Sequence, residues 1–361
     1  MNKPSNSSPR VKHISDEIWR IFDHFRGSIS IEDRHVLLFL LSGYKDGVLD
    51  GLQHEYVDLN NDLIRNYKGS GNYYDVSDVY IPIIQYVPRQ ILSEIILLFG
   101  RINRHELNEF YPEVFDSLLY KLSNAQGRNS GEFIQPFEIS RLIMNLADLD
   151  DNATVYNPFS GVASFATFMH PSQRYIGQEL NQRIWALGKL RLMAFNLNHF
   201  EYLREDSIEN WISFGEFDLI VSNPPFGMRL PIHYAHGAPS VEMFLIENAL
   251  QKLPNRGQLI TVLPQSFLYA STTHARRYRK HLVDNNFIDT IISLPPGILK
   301  HTSIPVCIVV FKKLQSNPGY IKFVEASDFV MNSTERKARI LDDLTLLDFI
   351  KSGDQNEFVR Y

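Results

Sequence analysis

The sequence has a single cysteine and no long apolar run, and these two shortages exclude several classes of protein. Cys307 is the one cysteine among 361 residues, so no disulfide can form within the chain. The longest apolar stretches, such as VLLFLL at 36–41, are far shorter than the roughly 18 residues of a membrane-spanning helix. The N-terminal MNKPSNSSPRVKH has no apolar segment typical of a secretion signal. We therefore expect a cytoplasmic protein without membrane contact.

The chain also lacks an overall basic charge, which argues mildly against a dedicated nucleic-acid-binding protein. Lysine and arginine number 36, aspartate and glutamate 41, and the net charge is −5. The charge is unevenly distributed, however, because residues 251–313 carry nine basic and only two acidic side chains. Within them, RRYRKH at 276–281 is either the solvated face of a helix or a strip that contacts phosphate.

The periodicity of the apolar residues predicts two regions of different architecture and a short tail. Residues 1–125 show helical spacing in several segments, for example at 89–100, and predict an N-terminal helical domain. From 126 to 325, short apolar runs alternate with helical stretches, which predicts an α/β domain with a doubly wound, mostly parallel, seven-stranded sheet. Residues 326–361 are predicted to be a helical tail. The seven predicted strands are 153–157, 174–179, 199–206, 217–223, 257–263, 287–294 and 305–311.

Polar or small residues follow three of the predicted strands, where parallel sheets bind their ligands. The turn NPFSGVASF contains Gly161 and lets the backbone approach a ligand, although Gly/Ser turns after strands are common. Glu179 follows Gly161 by 18 residues, near the spacing at which an acidic residue binds ribose hydroxyls. Asp206 closes the third strand, where a helix N-cap is an equally good interpretation. Together the three features predict a cofactor that contains adenosine.

The fourth strand end carries the most specific motif, Asn223-Pro224-Pro225-Phe226. Two prolines after a strand are also a simple turn signal. The alternative is catalytic: the Asn223 oxygen and the Pro224 carbonyl can accept both N–H groups of an exocyclic amine and draw its lone pair out of the ring. The prolines fix these acceptors beforehand, and Phe226 can stack on a flipped-out base.

In combination, these motifs resemble the methylation subunits of type I restriction-modification systems, within the S-adenosylmethionine-dependent N6-adenine DNA methyltransferases. The resemblance covers about residues 130–313. GEFIQPFEISRLI at 131–143 is similar to the family's GxFxTP segment, and ISLPPGILKHTSIPVCIVVFKK at 292–313 is similar to its final segment. The resemblance implies the S-adenosylmethionine-dependent methyltransferase fold, with that compound as methyl donor.

The resemblance also assigns a role to each motif. The catalytic residues are expected to be Asn223, Pro224, Pro225 and Phe226. No metal site is implied. The residues expected to bind S-adenosylmethionine are Phe133, Gln135, Pro136, Asn157, Pro158, Phe159, Ser160, Gly161, Ala163, Phe165, Glu179, Leu180, Asp206 and Ser207.

The function implied by the resemblance is methyl transfer to the amine of a flipped adenine in double-stranded DNA. About 48 residues follow Lys313, too few for a target-recognition domain. We therefore expect a separate DNA-specificity subunit as a partner, and the sequence leaves open whether a restriction subunit joins it.

Three departures from the family pattern leave other functions open. Asn157 stands where the family usually has Asp, Ala163 replaces the second glycine of the turn, and Gln135 replaces Thr. The loss of a carboxylate weakens the attraction for the methionine ammonium, and the added methyl crowds the cofactor. One alternative is therefore a catalytically weak or degenerate scaffold or regulatory subunit. The other is a methyltransferase that acts on RNA or on protein glutamine, where a similar clamp is used.

Overall fold

The protein is described by a computed structural model that divides into two compact units. The first unit comprises Met1–Ile134 and Gln182–Leu197, and the second comprises Gln135–Asn181 and Asn198–Tyr361. The structure describes residues 8–30, 32–52, 59–126, 134–213, 215–230, 240–299, 302–315, 317–332, 339–352 and 357–360.

The described part of the first unit is helical. Helix α2 is buried on all sides, as expected for a helix without a polar face. Its Phe39 stacks on Tyr67 and Tyr80, with ring centroids 4.0 and 4.5 Å away, so aromatic rings form the centre of this core. The helices of the unit are α1 (Pro9–His24), α2 (Val36–Lys45), α3 (Leu59–Gly69), α4 (Tyr74–Tyr86), α5 (Arg89–Phe99), α6 (Arg104–Glu109), α7 (Tyr111–Gln126) and α9 (Gln182–Ala194).

A buried ion pair joins α9 to α7 within this unit. The Arg191 guanidinium donates from Nε and Nη2 to the two carboxylate oxygens of Asp116, at 2.7 and 2.9 Å. Both side chains are buried. Burial alone lowers the pKa of Arg191, but the Asp116 carboxylate more than offsets this effect and the pKa is raised overall. Because a buried ion pair is stable only when its two groups keep a close contact, the pair restricts how α9 lies on α7.

The second unit contains a nine-stranded sheet in the order β11-β8-β6-β7-β5-β4-β1-β2-β3. Strands β3, β2, β1, β4 and β5 are parallel, whereas β7 runs antiparallel to both of its neighbours. The strands of the chain are β1 (Thr154–Asn157), β2 (Arg174–Gln178), β3 (Phe200–Leu203), β4 (Leu219–Ser222), β5 (Gln258–Pro264), β6 (Ile288–Ser293), β7 (Val306–Lys312), β8 (Tyr320–Glu325), β9 (Val330–Asn332), β10 (Arg339–Leu341) and β11 (Glu357–Arg360).

Helices cover this sheet. In β4 and β5 every residue is buried, as expected for central strands with both faces covered. The helices of the second unit are α8 (Phe137–Ala147), α10 (Val241–Lys252), α11 (Ser266–Tyr269), α12 (Thr273–Asp284) and α13 (Asp343–Ser352), with a short 3₁₀ helix at Ala166–Phe168.

The predicted fold class is confirmed, and each of the seven predicted strands is present as β1 to β7. The sheet is larger than predicted, because β8 and β11 extend it beyond β6. The segment 326–361 is also not simply helical. In it β9 and β10 pair with each other, α13 follows, and β11 joins β8. The three strands of this segment are too short, at three or four residues each, to give a clear periodicity, and the pairing partner of β11 lies more than thirty residues away along the chain.

The boundaries of the compact units also differ from those of the predicted domains. The predicted boundary lies at 125/126 and places everything from 126 to 325 in the α/β domain. The structure instead places α9 with the N-terminal helices, next to α7 and α4. The apolar spacing of a helix does not reveal which layer it packs against, so this could not be read from the sequence.

No single described helix is long and apolar enough to cross a membrane. The helices α4 and α5 meet the length and composition criteria only when they are counted together, across a bend of 119°.

The Arg191–Asp116 pair predicts a large effect on stability. Asp116→Ala removes the carboxylate that faces a buried guanidinium, and we expect it to lower the free energy of unfolding by about 3–5 kcal/mol in urea titrations of the full chain. The matched control is Asp284→Ala, which removes an exposed pair with Lys280 and is expected to cost under about 0.5 kcal/mol. Equal effects of the two variants would contradict the assigned role.

Candidate active site

The carboxyl ends of β1, β2 and β4 meet at one edge of the sheet. The parallel registers pair Asn157 with Gly177 and Tyr156 with Ile220. The chain segments that follow these strands therefore emerge side by side. The Ser160 N–H donates to the carbonyl of Gln178 at 2.9 Å and joins the turn after β1 to the end of β2. The structure thus brings together the predicted catalytic and cofactor-binding turns.

The predicted catalytic residues follow β4 directly, between β1 and β5. Pro224 is buried, Pro225 is exposed, and Asn223 and Phe226 are half-buried. The side-chain Oδ1 of Asn223 is inaccessible to solvent and has no hydrogen-bond partner among the described residues. A buried acceptor without a donor costs about 1–3 kcal/mol, so this atom is placed for something other than stability.

The turn after β1 begins with a fully buried asparagine. The Asn157 Oδ1 accepts a hydrogen bond from the Phe159 N–H at 3.3 Å, an Asx-type turn that the intervening Pro158 favours. Its amide Nδ2 is buried and has no hydrogen-bond partner among the described residues. This position therefore presents an amide donor where the family usually has a carboxylate. Pro158 is buried and Phe159 is half-buried.

The next part of the turn has two residues in the left-handed region. Gly161 has φ +56° and Ala163 has φ +55°, although the Cβ of an L-residue disfavours this conformation. The Ala163 N–H donates to Ser160 O at 2.9 Å and its own carbonyl accepts from the Ala166 N–H at 3.1 Å, so the tight turn is well bonded. The family's preference for glycine at this position has a direct explanation in the backbone.

Two predicted cofactor-binding residues of this turn belong to the protein interior. Phe165 is 2% exposed and Ser160 is also buried. The Ser160 hydroxyl forms a hydrogen bond with the hydroxyl of Tyr175. These side chains support the turn, and the backbone N–H and carbonyl of Ser160 are also engaged, with Gln178 and Ala163.

Glu179 lies at the end of β2 and bonds to the turn after β1. Its Oε2 accepts from the Gly161 N–H at 3.0 Å, and its Oε1 accepts from the Asn181 N–H at 2.7 Å. Burial raises the pKa of this carboxyl, and the backbone N–H donors partly oppose the effect. The neighbouring Leu180 is 65% exposed, so its side chain is available for an apolar contact.

Asp206 and Ser207 follow β3. The Asp206 Oδ1 accepts from the Ile208 N–H at 2.8 Å, and its carbonyl accepts from the Asn210 N–H at 2.8 Å. Asp206 therefore begins an Asx turn and not a helix of the described chain, while Ser207 is buried. The half-buried carboxylate keeps a second oxygen for a further donor.

The predicted residues before α8 are only partly described. Phe133 lies outside the described residues. Pro136 is the N-cap residue of α8, and the buried Gln135 donates from Nε2 to the Ser140 hydroxyl at 3.0 Å.

Three supporting residues escaped the sequence analysis. Buried Gln178 on β2 donates from Nε2 to the Asn210 carbonyl at 2.8 Å, and the Tyr202 hydroxyl on β3 donates to the Gly161 carbonyl. Glu242, in the first turn of α10, accepts from the Gly227 N–H at 2.6 Å. Of the three, only Gln178 carries a signal in the sequence. It is an amide inside an apolar strand, and a buried amide must find hydrogen-bond partners.

The strand order, the reversed β7 and the turns at this edge define an α/β protein with the methyltransferase fold. Residues 107–352 match the model of the family described as N-6 DNA Methylase, about two thirds of the chain, and the chain belongs to this family.

Similar proteins of known sequence include methylase subunits of type I restriction enzymes. The MpnII subunit of Mycoplasma pneumoniae is 24% identical in an alignment of 306 positions that covers 73% of this chain and 56% of the relative. The HindI subunit of Haemophilus influenzae is 22% identical in an alignment of 264 positions that covers 67% of this chain and 58% of that protein. The chain thus spans little more than half the length of these curated relatives.

Solved structures share the fold. The methyltransferase subunit of a type I restriction-modification system from Streptococcus thermophilus superimposes with a TM-score of 0.76 at 15% identity, covering 97% of this chain and 96% of that one. A modification subunit of a putative type I restriction enzyme from Vibrio vulnificus gives 0.67 at 14% identity, covering 100% and 94%.

The left-handed conformation of Ala163 predicts that Ala163→Gly stabilises the protein. Removing the Cβ relieves about 1–2 kcal/mol of backbone strain, against about 0.4–1 kcal/mol of extra entropy in the unfolded chain, so the expected gain is up to about 1 kcal/mol. The control is Ala166→Gly, a buried alanine without positive φ, which is expected to destabilise the protein by about 0.5–1 kcal/mol. Urea unfolding measures both, and destabilisation by Ala163→Gly would contradict the explanation.

Proposed function

We propose that the protein is a DNA N6-adenine methyltransferase that acts as the modification subunit of a restriction-modification system. The observation that carries the proposal is the buried Asn223 Oδ1, an acceptor without a partner among the described residues at the end of β4. It belongs to an NPPF segment beside the turn after β1.

The chemistry that this segment supports is activation of an exocyclic amine. The two N–H groups of the adenine amine need two acceptors, and the Asn223 Oδ1 and the Pro224 carbonyl are the groups that the motif offers. When both are engaged, the nitrogen lone pair leaves conjugation with the ring and becomes nucleophilic. The prolines restrict the backbone that carries both acceptors before the substrate binds, which reduces the reorganisation needed during the reaction.

The half-buried Phe226 supplies an aromatic face for the same substrate. A base can reach a turn at a sheet edge only after it leaves the DNA stack, and stacking on an aromatic side chain offsets part of that cost. The same clamp serves the side-chain amide of glutamine. The family match favours DNA over glutamine and RNA as the substrate.

The residues at the edge fit S-adenosylmethionine as the cofactor. The buried Asn157 Nδ2 offers an unpartnered donor, which suits the carboxylate of the methionine moiety better than its ammonium group. Glu179 and Asp206 keep acceptor oxygens for the ribose hydroxyls and the adenine amine. When bound, the cofactor supplies an electrophilic methyl group at this edge.

The proposed partners are double-stranded DNA, a DNA-specificity subunit and a restriction subunit. Helix α12 offers a modest basic face, because Arg276 and Arg277 are exposed and form no ion pair among the described residues. The neighbouring Arg279 instead donates to the carbonyls of Phe267 and Ala270, at 3.1 and 2.7 Å. Two free arginines on an acidic chain support weak contact with phosphate, which agrees with specificity supplied by another subunit.

The proposal predicts that Asn223→Ala abolishes methyl transfer and preserves cofactor binding. Loss of the preorganised acceptor is expected to reduce transfer of labelled methyl groups to DNA by at least about 100-fold, as for other transition-state hydrogen bonds. The dissociation constant for S-adenosylmethionine, measured by calorimetry, should change less than about threefold. The control is Asn285→Ala at the exposed end of α12.

The assay is run on the chain alone and together with a candidate specificity subunit. Unchanged turnover of Asn223→Ala would remove the catalytic assignment. Selective methylation of one sequence by the chain alone would contradict the separate specificity subunit. No detectable binding of S-adenosylmethionine under either condition would favour the non-catalytic scaffold.

The raised pKa of Glu179 predicts a pH-dependent affinity for the cofactor. Because burial raises this pKa above the ordinary 4.5, the carboxylate becomes protonated at a higher pH than an exposed glutamate. Protonation removes acceptor capacity for ribose, so affinity should fall on acidification. Calorimetric titrations with S-adenosylmethionine from about pH 8 to about pH 5 measure the effect. Glu179→Gln should bind more weakly at neutral pH and with a flatter profile, and identical profiles would contradict the assignment.

A further inference from the structure

The turn that carries the NPPF segment is anchored at both of its ends. At the start, Asn223 directly follows β4, whose Ser222 is paired with Thr261 of the buried strand β5. At the far end, the Gly227 N–H donates to the Glu242 Oε1 at 2.6 Å. Between these anchors lie only two prolines and Phe226.

The hydrogen bond from Gly227 to Glu242 is needed because glycine leaves the backbone conformation at the end of the turn weakly restricted. Its φ is +68°, and glycine reaches both halves of the backbone map at little cost. The prolines restrict their own φ angles but donate no hydrogen bond that would hold the turn to the rest of the protein. A fixed partner for the Gly227 N–H therefore determines where the turn ends.

Glu242 is well placed to be that partner. It is 5% exposed and lies in the first turn of α10, where the positive end of the helix dipole stabilises a carboxylate. The Ser240 side chain caps this helix, and the Val241 N–H donates to the Met228 carbonyl at 3.0 Å. The start of α10 is thus bonded to the chain just beyond Gly227.

The burial of Glu242 is costly, and fold stability alone does not explain it. Among the described residues no basic side chain lies within ion-pair distance of Glu242. A buried charge without an ion partner must be compensated by hydrogen bonds and dipoles. Among the described residues, the hydrogen bond that this carboxylate accepts comes from the backbone N–H of Gly227, directly after the NPPF segment.

We infer that Glu242 is a positioning residue for methyl transfer, which holds the Gly227 end of the turn so that the Asn223 and Pro224 acceptors keep a fixed direction. The inference rests on the proposed function of the same site. Glu242 touches neither substrate nor cofactor in this role and acts through the backbone.

The test compares three substitutions at this position. Glu242→Gln keeps an oxygen that accepts from the Gly227 N–H, Glu242→Asp keeps the charge but is one methylene too short, and Glu242→Ala removes the acceptor. We expect kcat to fall by about 100-fold in the alanine variant, as for a misplaced catalytic group, and to stay within about threefold of the parent in the glutamine variant. The KM for DNA and the dissociation constant for S-adenosylmethionine should change less than about threefold in all three.

Glu247→Ala is the matched control, because this half-buried glutamate lies on the same helix and forms no hydrogen bond with the described residues of the NPPF turn. Its kcat is expected to be unchanged. If the alanine variant does not fold, the comparison of the glutamine and aspartate variants carries the same test. A structural role alone would instead lower the melting temperature and both binding constants together, without rescue by glutamine.

Hydrogen–deuterium exchange separates this inference from the proposed function. We expect faster exchange of the Gly227 amide in Glu242→Ala and Glu242→Asp than in Glu242→Gln, whether or not methyl transfer is observed. A wild-type chain with its partner that transfers no methyl group to DNA would contradict the proposed function. Unchanged exchange at Gly227, or unchanged kcat in the alanine variant of an active enzyme, would overturn the role of Glu242.

Discussion

The parallel register of β2, β1 and β4 is the constraint on which the candidate site depends. Because Asn157 pairs with Gly177 and Tyr156 with Ile220, the turns after the three strands must share one edge of the sheet. Side chains alternate along a strand, so a slip of one residue would exchange the side chains that β4 presents to the two faces of the sheet. Every residue of β4 and β5 is buried, so such a slip would disrupt the packing on both faces, and the site inherits its geometry from the core.

Polar atoms that lack partners accumulate where the ligand turns meet. The Asn157 Nδ2, the Ser222 Oγ and the Asn223 Oδ1 are buried and have no hydrogen-bond partner among the described residues, although other such atoms are scattered through both units. Each costs about 1–3 kcal/mol, and Ala163 adds backbone strain in the same turn. Backbone strain and unpaired buried polar groups cluster in native proteins at sites that bind ligands. This edge of the sheet is therefore organised for binding at the expense of stability.

Local sequence patterns predicted the features that depend on neighbouring residues. The strands β1 to β7 follow from apolar runs, and the NPPF segment follows from one strand end. What the sequence could not show depends on distant pairing. The pair of Arg191 and Asp116 places α9 with the N-terminal helices, and β11 reaches the sheet through β8. In the sequence, Glu242 is an ordinary acidic residue in the first turn of a helix. Its hydrogen bond with the Gly227 N–H depends on the tertiary fold and could not be predicted.

The expected cofactor-binding turn and the expected catalytic turn are held in place by different residues. A change that weakens cofactor binding can therefore leave the catalytic turn intact. A carboxylate has about four acceptor positions, so Glu179 can keep its bonds to the Gly161 and Asn181 N–H groups and still accept from ribose. The departures at Asn157 and Ala163 therefore act on cofactor affinity. The acceptors of the catalytic turn depend instead on β4, two prolines and Glu242. A low affinity for the cofactor is therefore compatible with an intact pair of acceptors in the catalytic turn.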